Sequence, residues 1–330
     1  MRNRILSGMR PTGKLHLGHL VGALNNWVKL QDNYECLFMV ADWHALMSEY
    51  ESPSVISESI LDNLTDWLAA GIDPEKSIIF VQSEVPEHLE LYMIFSCLTP
   101  LGWLERCPTY KEQLRQLSSR NIKTYGFLGY PVLQAADILL YKANRVPVGE
   151  DQLPHLELAR EIGRKFNGIY GKKTFPDPQA LLTNLPRLLG LDNRKMSKSL
   201  NNTINLSDSP EVIKKKVGGM VTDPKRIKLK DPGHPNDCNV FSYYKVFVPE
   251  KEKEVYAWCT NAGKGCTECK AILAEGLILL LKPHQEKRML WADNQAGLRE
   301  VLRLGRQRAR EISGHTIAEI KKITGMSPLS

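Results

Sequence analysis

Arg4-Ile5-Leu6-Ser7-Gly8-Met9-Arg10-Pro11-Thr12-Gly13-Lys14-Leu15-His16-Leu17-Gly18-His19 is the stretch on which the reading of this 330-residue chain turns. It opens as a short β-like run, Arg4 to Ser7, and passes through a loop containing Gly8, Pro11 and Gly13. It then enters an amphipathic helix from His19 to Leu30, with Leu20, Ala23, Leu24, Trp27, Val28 and Leu30 apolar. Strand, glycine-containing loop and helix form the repeating unit of α/β proteins. Loop glycines permit close backbone approach, and a helix N-terminus offers N–H groups and a positive dipole end to a phosphate. His16 and His19 add side-chain donors suited to a phosphate whose charge grows in a transition state. A plain capping turn with two surface histidines is the competing reading. A metal site is disfavoured, because no third ligand lies near the pair in sequence.

Further strand runs follow at Cys36–Ala41, Ser77–Gln82 and Arg145–Gly149, with a helix at Val55–Ala70 and the turn Gly71-Ile72-Asp73-Pro74 before the third strand. This order predicts a doubly wound, Rossmann-like parallel sheet over residues 1–204. Ligands of such sheets bind beyond the C-terminal strand ends, so the segments after the first, second and fourth strands should face one cleft. From about residue 205 the strand signal fades. Ser209-Pro210-Glu211 reads as a helix start, with Ser as N-cap and Pro at the first position. Helical patterns follow at Lys251–Trp258, Glu268–Leu281, Pro283–Trp291, Gln295–Ile312 and Thr316–Ile323, so residues 205–330 are expected to be all-helical.

Composition is that of an ordinary globular protein: 42% hydrophobic, 25% charged, formal net charge +7. The mild positive charge is compatible with a polyanionic partner without requiring one. The longest apolar run, Ala271 to Leu281, is broken by Glu275 and ends at Lys282-Pro283, so it reads as a core helix and not a membrane span. No secretory signal is recognisable, and a cytoplasmic location is expected.

A second polar string, Lys195-Met196-Ser197-Lys198-Ser199, places lysines on either side of a Met-Ser pair. Its charges suit a clamp on a triphosphate tail, though an ordinary basic linker fits the string equally well. Together with His16-Leu17-Gly18-His19 it points to an enzyme that promotes attack on the α-phosphate of ATP. The paired strings resemble the two signature motifs of class I aminoacyl-tRNA synthetases. Val148-Gly149-Glu150-Asp151-Gln152, the run His155 to Glu161, Asp42-Trp43-His44-Ala45 and Ala135 to Tyr141 are similar to tryptophanyl-tRNA synthetases.

The amino-acid pocket is approached from a helix expected to open at Tyr130-Pro131 and run to about Lys142. Tyr130, Gln134, Asp137 and Tyr141 share one face of it, among apolar neighbours. A polar stripe on a buried helix must find partners, either in an internal hydrogen-bond network or in a ligand. The resemblance implies that Asp137 accepts an indole N–H, that Tyr130 and Gln152 contact the substrate's α-amino group, and that Gln134 and His44 line the same pocket. It implies ATP contacts at Arg10, Pro11, Thr12, Gly18, His19, Lys111, Gly149, Glu150 and Asp151, and at Lys195, Met196, Ser197, Lys198 and Ser199, with His16, His19, Lys195 and Lys198 as the catalytic set. Mg2+ would arrive with ATP. The implied function is a tryptophan–tRNA ligase acting on L-tryptophan, ATP and tRNA(Trp), expected to be a homodimer. Tyr130-x-x-x-Gln134-x-x-Asp137 is also similar to tyrosyl-tRNA synthetases, which makes a tyrosyl enzyme the alternative; a non-catalytic tRNA-binding relative is a more distant one.

Cys238, Cys259, Cys266 and Cys269 have the spacing C-x20-C-x6-C-x2-C. In a cytosolic helical domain this argues for a metal centre over disulfides. Four cysteines suit a [4Fe–4S] cluster, with Zn2+ the alternative, because zinc ribbons usually show two close pairs. A subset of tryptophanyl-tRNA synthetases carries such a cluster. Cys36, Cys97 and Cys107 read as core. Basic residues gather at Lys214–Lys216, Lys225, Arg226, Lys228 and Lys230, and at Arg303, Arg306, Arg308 and Arg310, a pattern that fits contact with a tRNA backbone.

Overall fold

A computed structural model describes residues 3–116, 121–182, 188–196 and 200–326. Five parallel strands form one sheet: β1 (Arg4–Met9), β2 (Glu35–Val40), β3 (Ser77–Val81), β4 (Arg145–Val148) and β5 (Gln179–Leu182), in the order β3-β2-β1-β4-β5. Between β1 and β2 the chain forms α1 (Leu17–His19), a π-helical turn (Leu20–Leu24) and α2 (Asn25–Leu30). Helices α3 (Asp42–Glu49) and α4 (Ser54–Ala70) lead to β3. Helices α5 (Glu87–Leu98), α6 (Leu101–Arg106), α7 (Pro108–Gln116) and α8 (Tyr125–Leu140) lead to β4, and α9 (Leu153–Tyr170) leads to β5. The remainder is helical: α10 (Pro210–Gly218), α11 (Asn239–Phe247), α12 (Glu252–Thr260), α13 (Cys266–Asp293) and α14 (Gln295–Thr324).

Strands β2 and β3 are almost wholly apolar because both faces are covered. Ile5, Cys36, Phe38, Val40, Ile79 and Val81 join one buried cluster with Trp27 and Trp67. Leu6, Leu37, Met39, Ile78 and Phe80 join the other, with side chains of α5, α8, α9 and α14. The late helices share these clusters: Leu273, Leu277 and Leu281 of α13 lie with Ile5 and Phe38, and Ala309, Ile317 and Ile320 of α14 with Phe80. At Gly305, a Cβ would fall 1.7 Å from the Ile79 carbonyl oxygen, so α14 lays its backbone directly on the outer edge of β3.

Several element boundaries differ from the sequence reading. Tyr130-Pro131 does not open a helix. Thr124 caps α8 by accepting from the Phe127 N–H at 3.2 Å, and Pro131 lies inside it. Pro283 likewise sits within α13, which is one helix where two are expected. Leu279, whose carbonyl loses its helical partner, is 70% exposed, so water can serve it. Helix α14 runs unbroken through Ser313-Gly314, since its buried face, from Leu298 to Ile320, outweighs the local glycine cost. Strand β5 was not foreseen. It is an edge strand of four residues with no fully buried side chain. Ser209 and Pro210 act as expected, the Ser209 hydroxyl accepting from Val212 N–H at 3.4 Å. Cys36 and Cys107 are buried, but Cys97 on α5 is exposed, which corrects its placement in the core.

Candidate active site

β1 and β4 are neighbours in the sheet but distant in sequence, so the chain leaves their C-terminal ends in opposite directions and opens a crevice there. A cavity of about 390 Å³ occupies it. Its walls bring together Arg10, His44, Tyr130, Gln134, Asp137, Gly149 and Gln152 from the residues expected at the site, and add His155. His16, His19, Gly18, Lys111, Glu150, Asp151, Lys195 and Met196 are outside its lining.

Asp137, 2% exposed, stands at the centre of a network. Its Oδ2 lies 2.7 Å from His44 Nε2; its Oδ1 is 2.6 Å from His88 Nδ1 and accepts from Gln82 Nε2 at 2.8 Å. Burial pushes this carboxyl up, but the hydrogen bonds from His44 and His88 outweigh it and hold Asp137 at about 2. His88 Nε2 is 2.8 Å from the Tyr141 hydroxyl. In the neutral ring, Tyr141 donates to Nε2 and Nδ1–H donates to Asp137. Oδ1 is therefore saturated by protein, whereas Oδ2 retains a lone pair beyond its one bond to His44. Asp137 is held in an internal network, and it also faces the cavity. Gln82 and His88 were missed in the sequence. They come from the segment after β3, and no spacing ties them to α8.

A second chain of polar groups borders the cavity. The Tyr130 hydroxyl is 2.8 Å from His155 Nε2, and His155 Nδ1 is 3.0 Å from Gln152 Oε1. Burial, with a further push from His44, lowers the His155 imidazole to about 4. Gln134 is half-buried on the cavity wall. Arg10 Nη1 donates to Ser48 Oγ at 3.4 Å.

The two signature strings meet beside this cavity. His16 caps α1, its Nδ1 accepting from Gly18 N–H at 3.1 Å, while His19 Nδ1 accepts from the His16 N–H, also at 3.1 Å. With each Nδ1 committed as an acceptor, each neutral ring carries its proton on Nε2. The rings stand 3.9 Å apart, centroid to centroid. A Cβ on Gly18 would come within 2.9 Å of Met196 Sδ, so the second string packs directly on the first. Backbone pairing holds them in register: Leu17 N–H donates to Ile204 O at 3.0 Å and Leu206 N–H to Leu15 O at 2.9 Å. Asn202, 4% exposed, ties the base of the loop by donating from Nδ2 to Asp192 Oδ1 at 2.8 Å and to Lys195 O at 3.1 Å. Ser197, Lys198 and Ser199 lie outside the described residues.

Of the other expected ATP contacts, Pro11 is buried and Thr12 N–H donates to Arg10 O at 3.0 Å. Glu150 and Asp151 are exposed on a single turn after Gly149. Lys111 is exposed on α7.

Cys238, Cys259, Cys266 and Cys269 line one small cavity with Arg226 and Trp258. Burial pushes the Cys269 thiol up to about 11 and raises Cys238 and Cys259 as well. Arg226 Nη1 approaches Cys266 Sγ at 3.9 Å, and the buried Trp258 indole N–H stands beside the Cys269 thiol. Among the described residues no group of three or more His, Cys, Asp or Glu side chains is arranged to hold a metal ion. The arginines of α14 are largely spoken for. Arg303 pairs with Glu300 at 2.7 Å, Arg306 with Glu84 at 3.9 Å and Arg310 with Glu87 at 3.5 Å. Lys214, Lys215, Lys228, Lys230 and Arg308 are exposed. No helix among the described residues is long and apolar enough to cross a membrane.

Residues 1–282 match the family of tRNA synthetases class I (W and Y). The chain is 48% identical over 322 residues to the tryptophan–tRNA ligase of Thermotoga maritima, an alignment covering 97% of this chain and 98% of that one. It is 41% identical over a 394-residue alignment to the tryptophan–tRNA ligase of Ralstonia nicotianae, covering 98% of each. The tryptophanyl-tRNA synthetase of Campylobacter jejuni, solved in complex with ADP and tryptophan, has a TM-score of 0.87 at 35% identity, over 98% of this chain and 99% of that one. A doubly wound sheet on which the two signature strings pack together fits an enzyme of the class I synthetase kind. This chain belongs to the class I tRNA synthetases of the tryptophan and tyrosine branch.

Proposed function

We propose that tryptophan occupies the cavity between β1 and β4 and that ATP lies across the loop after β1, with its phosphates toward His16, His19 and Lys195. The activity is that of a tryptophan–tRNA ligase. The tryptophan carboxylate attacks the ATP α-phosphate, the bond to the β-phosphate breaks, and Trp-AMP and pyrophosphate form. A ribose hydroxyl at the 3′ end of tRNA(Trp) then attacks the acyl carbon and releases AMP. Positioning and charge stabilisation carry both steps, and no acyl-enzyme is needed.

The observation that carries this reading is the buried, ionised Asp137 with an oxygen still open to the cavity. A buried acceptor rejects an aromatic amino acid lacking a donor at that position, because it would be left unpaired. Tyr130 and Gln152 hold the α-ammonium group, and His44 and Gln134 complete the wall. Arg10, Pro11, Thr12, Gly18, Lys111, Gly149, Glu150 and Asp151 contact ATP. His16 and His19 present Nε2–H donors to the α-phosphate, and Lys195 with Met196, Ser197, Lys198 and Ser199 follows the departing pyrophosphate. Mg2+, held by phosphate and water, neutralises some of the triphosphate charge. Charging of tRNA(Trp) with labelled tryptophan, and not with tyrosine, tests the assignment; the relatives at 41% and 48% identity are tryptophan enzymes, so the tyrosyl alternative is not favoured.

Residues 205–330 form the tRNA-facing domain, which follows the catalytic domain of residues 1–204. The four cysteines hold a [4Fe–4S] cluster in this reading. Their shared cavity and the buried Trp258 N–H beside the Cys269 sulfur, a donor suited to a cluster's sulfurs, support it. In a cluster each thiolate ligates a different iron, so three need not converge on one ion as zinc requires. Protein purified anaerobically should be brown; a colourless protein with stoichiometric zinc would replace the cluster with zinc. A homodimer is supported by exposed apolar side chains on α5, α6 and α8, namely Met93 at 63%, Leu101 at 63% and Tyr125 at 74%. A cytoplasmic setting accords with this function.

A further inference from the structure

We propose that His155 is a positioning residue that sets the direction of the hydrogen bonds which Tyr130 and Gln152 offer to the substrate's ammonium group. The inference rests on tryptophan occupying the cavity.

His155 lies in the first turns of α9 and is 1% exposed. The direction of its bonds can be read from one end. Gln152 Nε2 donates to Asp151 Oδ2 at 2.9 Å. An ionised carboxylate only accepts, so the amide nitrogen of Gln152 must face Asp151 and its Oε1 must face His155. His155 Nδ1, 3.0 Å from that oxygen, must then carry a proton. Burial keeps the ring neutral, which leaves a lone pair on Nε2. That lone pair takes the hydroxyl proton of Tyr130 at 2.8 Å. Every proton in the chain from Tyr130 through His155 and Gln152 points toward Asp151.

The consequence falls on the cavity. The Tyr130 hydroxyl proton is committed to His155, so its oxygen, which also accepts from the Thr109 side chain, keeps one lone pair for a ligand. Gln152 Oε1 accepts from His155 and keeps a second lone pair. Two acceptors suit an ammonium group with its three donors, and they repel a carboxylate or a carbonyl placed there. Without His155 the Tyr130 hydroxyl loses its acceptor and rotates freely, while Gln152 keeps only its exposed bond to Asp151, so both acceptors are less firmly oriented. Asp137 and the indole end of the cavity are untouched by this relay.

Equilibrium titration of the full-length protein with L-tryptophan and with 3-indolepropionate, which has the same ring and carboxylate but no amino group, separates the roles. His155→Phe should weaken tryptophan roughly 10- to 100-fold, as expected for a misdirected bond to a charged group, while 3-indolepropionate changes less than about threefold. Asp151→Asn, at an exposed position that leaves the core intact, lets the Gln152 amide flip and should weaken tryptophan several-fold with no effect on 3-indolepropionate. Equal weakening of both ligands in His155→Phe would show general packing damage and overturn the proposal, as would unchanged tryptophan affinity in both variants. Wild-type protein that binds neither ligand would overturn the occupant itself.

Discussion

Met196 Sδ lies over Gly18 so closely that a Cβ there would stand 2.9 Å from it and 3.0 Å from the His16 ring. The Met196 side chain can swing aside, but the His16 ring is held at Gly18 by its Nδ1, so a side chain here crowds the helix start that carries both histidines. Gly18→Ala is expected to lower kcat for adenylate formation by roughly 10- to 1,000-fold, because it displaces the groups proposed to meet the transferred phosphate. Tryptophan binding should change little, since Gly18 is outside the cavity lining. Steady-state kinetics with each substrate varied will check the split; a variant with normal kcat would remove this contact from the mechanism.

Asp137→Ala leaves His44, His88 and Gln82 without their shared acceptor. The KM for tryptophan should rise by at least ~100-fold and the KM for ATP by less than about threefold. Equal changes in both would place Asp137 outside the amino-acid pocket.

His155 gives a pH signature. Its folded value of about 4 lies below the ordinary 6.5, so the unfolded chain binds the proton more readily. Stability is complete above pH 6.5 and falls as pH drops toward 4, by about 3 kcal/mol for this group. Urea unfolding between about pH 7 and 4 should show that slope in the wild type and a flatter one in His155→Phe. Asp137, whose value is depressed from 3.8 to about 2, loses its contribution only below that window. Identical slopes in the two proteins would mean that His155 is not held neutral.

At the other end of the sheet, Gly305→Ala would press a Cβ to 1.7 Å from the Ile79 oxygen and 2.6 Å from its carbon. Both are backbone atoms in a central layer and neither can yield. The expected loss is roughly 2–4 kcal/mol in chemical denaturation. A loss below about 0.5 kcal/mol would show that α14 does not rest on β3.

The strands at Glu35–Val40 and Ser77–Val81 were legible because burial on both faces makes them uninterrupted apolar runs. β5 was not, since an edge strand of four half-exposed residues leaves no such run. Pro131 and Pro283 were misread as boundaries because local propensity is blind to the packing that holds α8 and α13 together across them. In the site, Tyr130, Gln134 and Asp137 were legible as a polar stripe at helical spacing. Gln82 and His88 could not be, as the fold alone brings them to Asp137. His155 stood in a recognisable string but carried no assigned role until its two bonds were seen. The arginines of α14 were legible as charge, yet Arg306 and Arg310 meet acids from the segment between β3 and α5 and from α5 itself.

Amino-acid-dependent ATP–pyrophosphate exchange tests the central claim most directly, because it reads adenylate formation in the β1/β4 cavity without tRNA. Exchange driven by L-tryptophan, at least ~100-fold faster than with L-tyrosine at equal concentration, is the expected result. Exchange driven by tyrosine and not tryptophan, or by neither, would contradict the account.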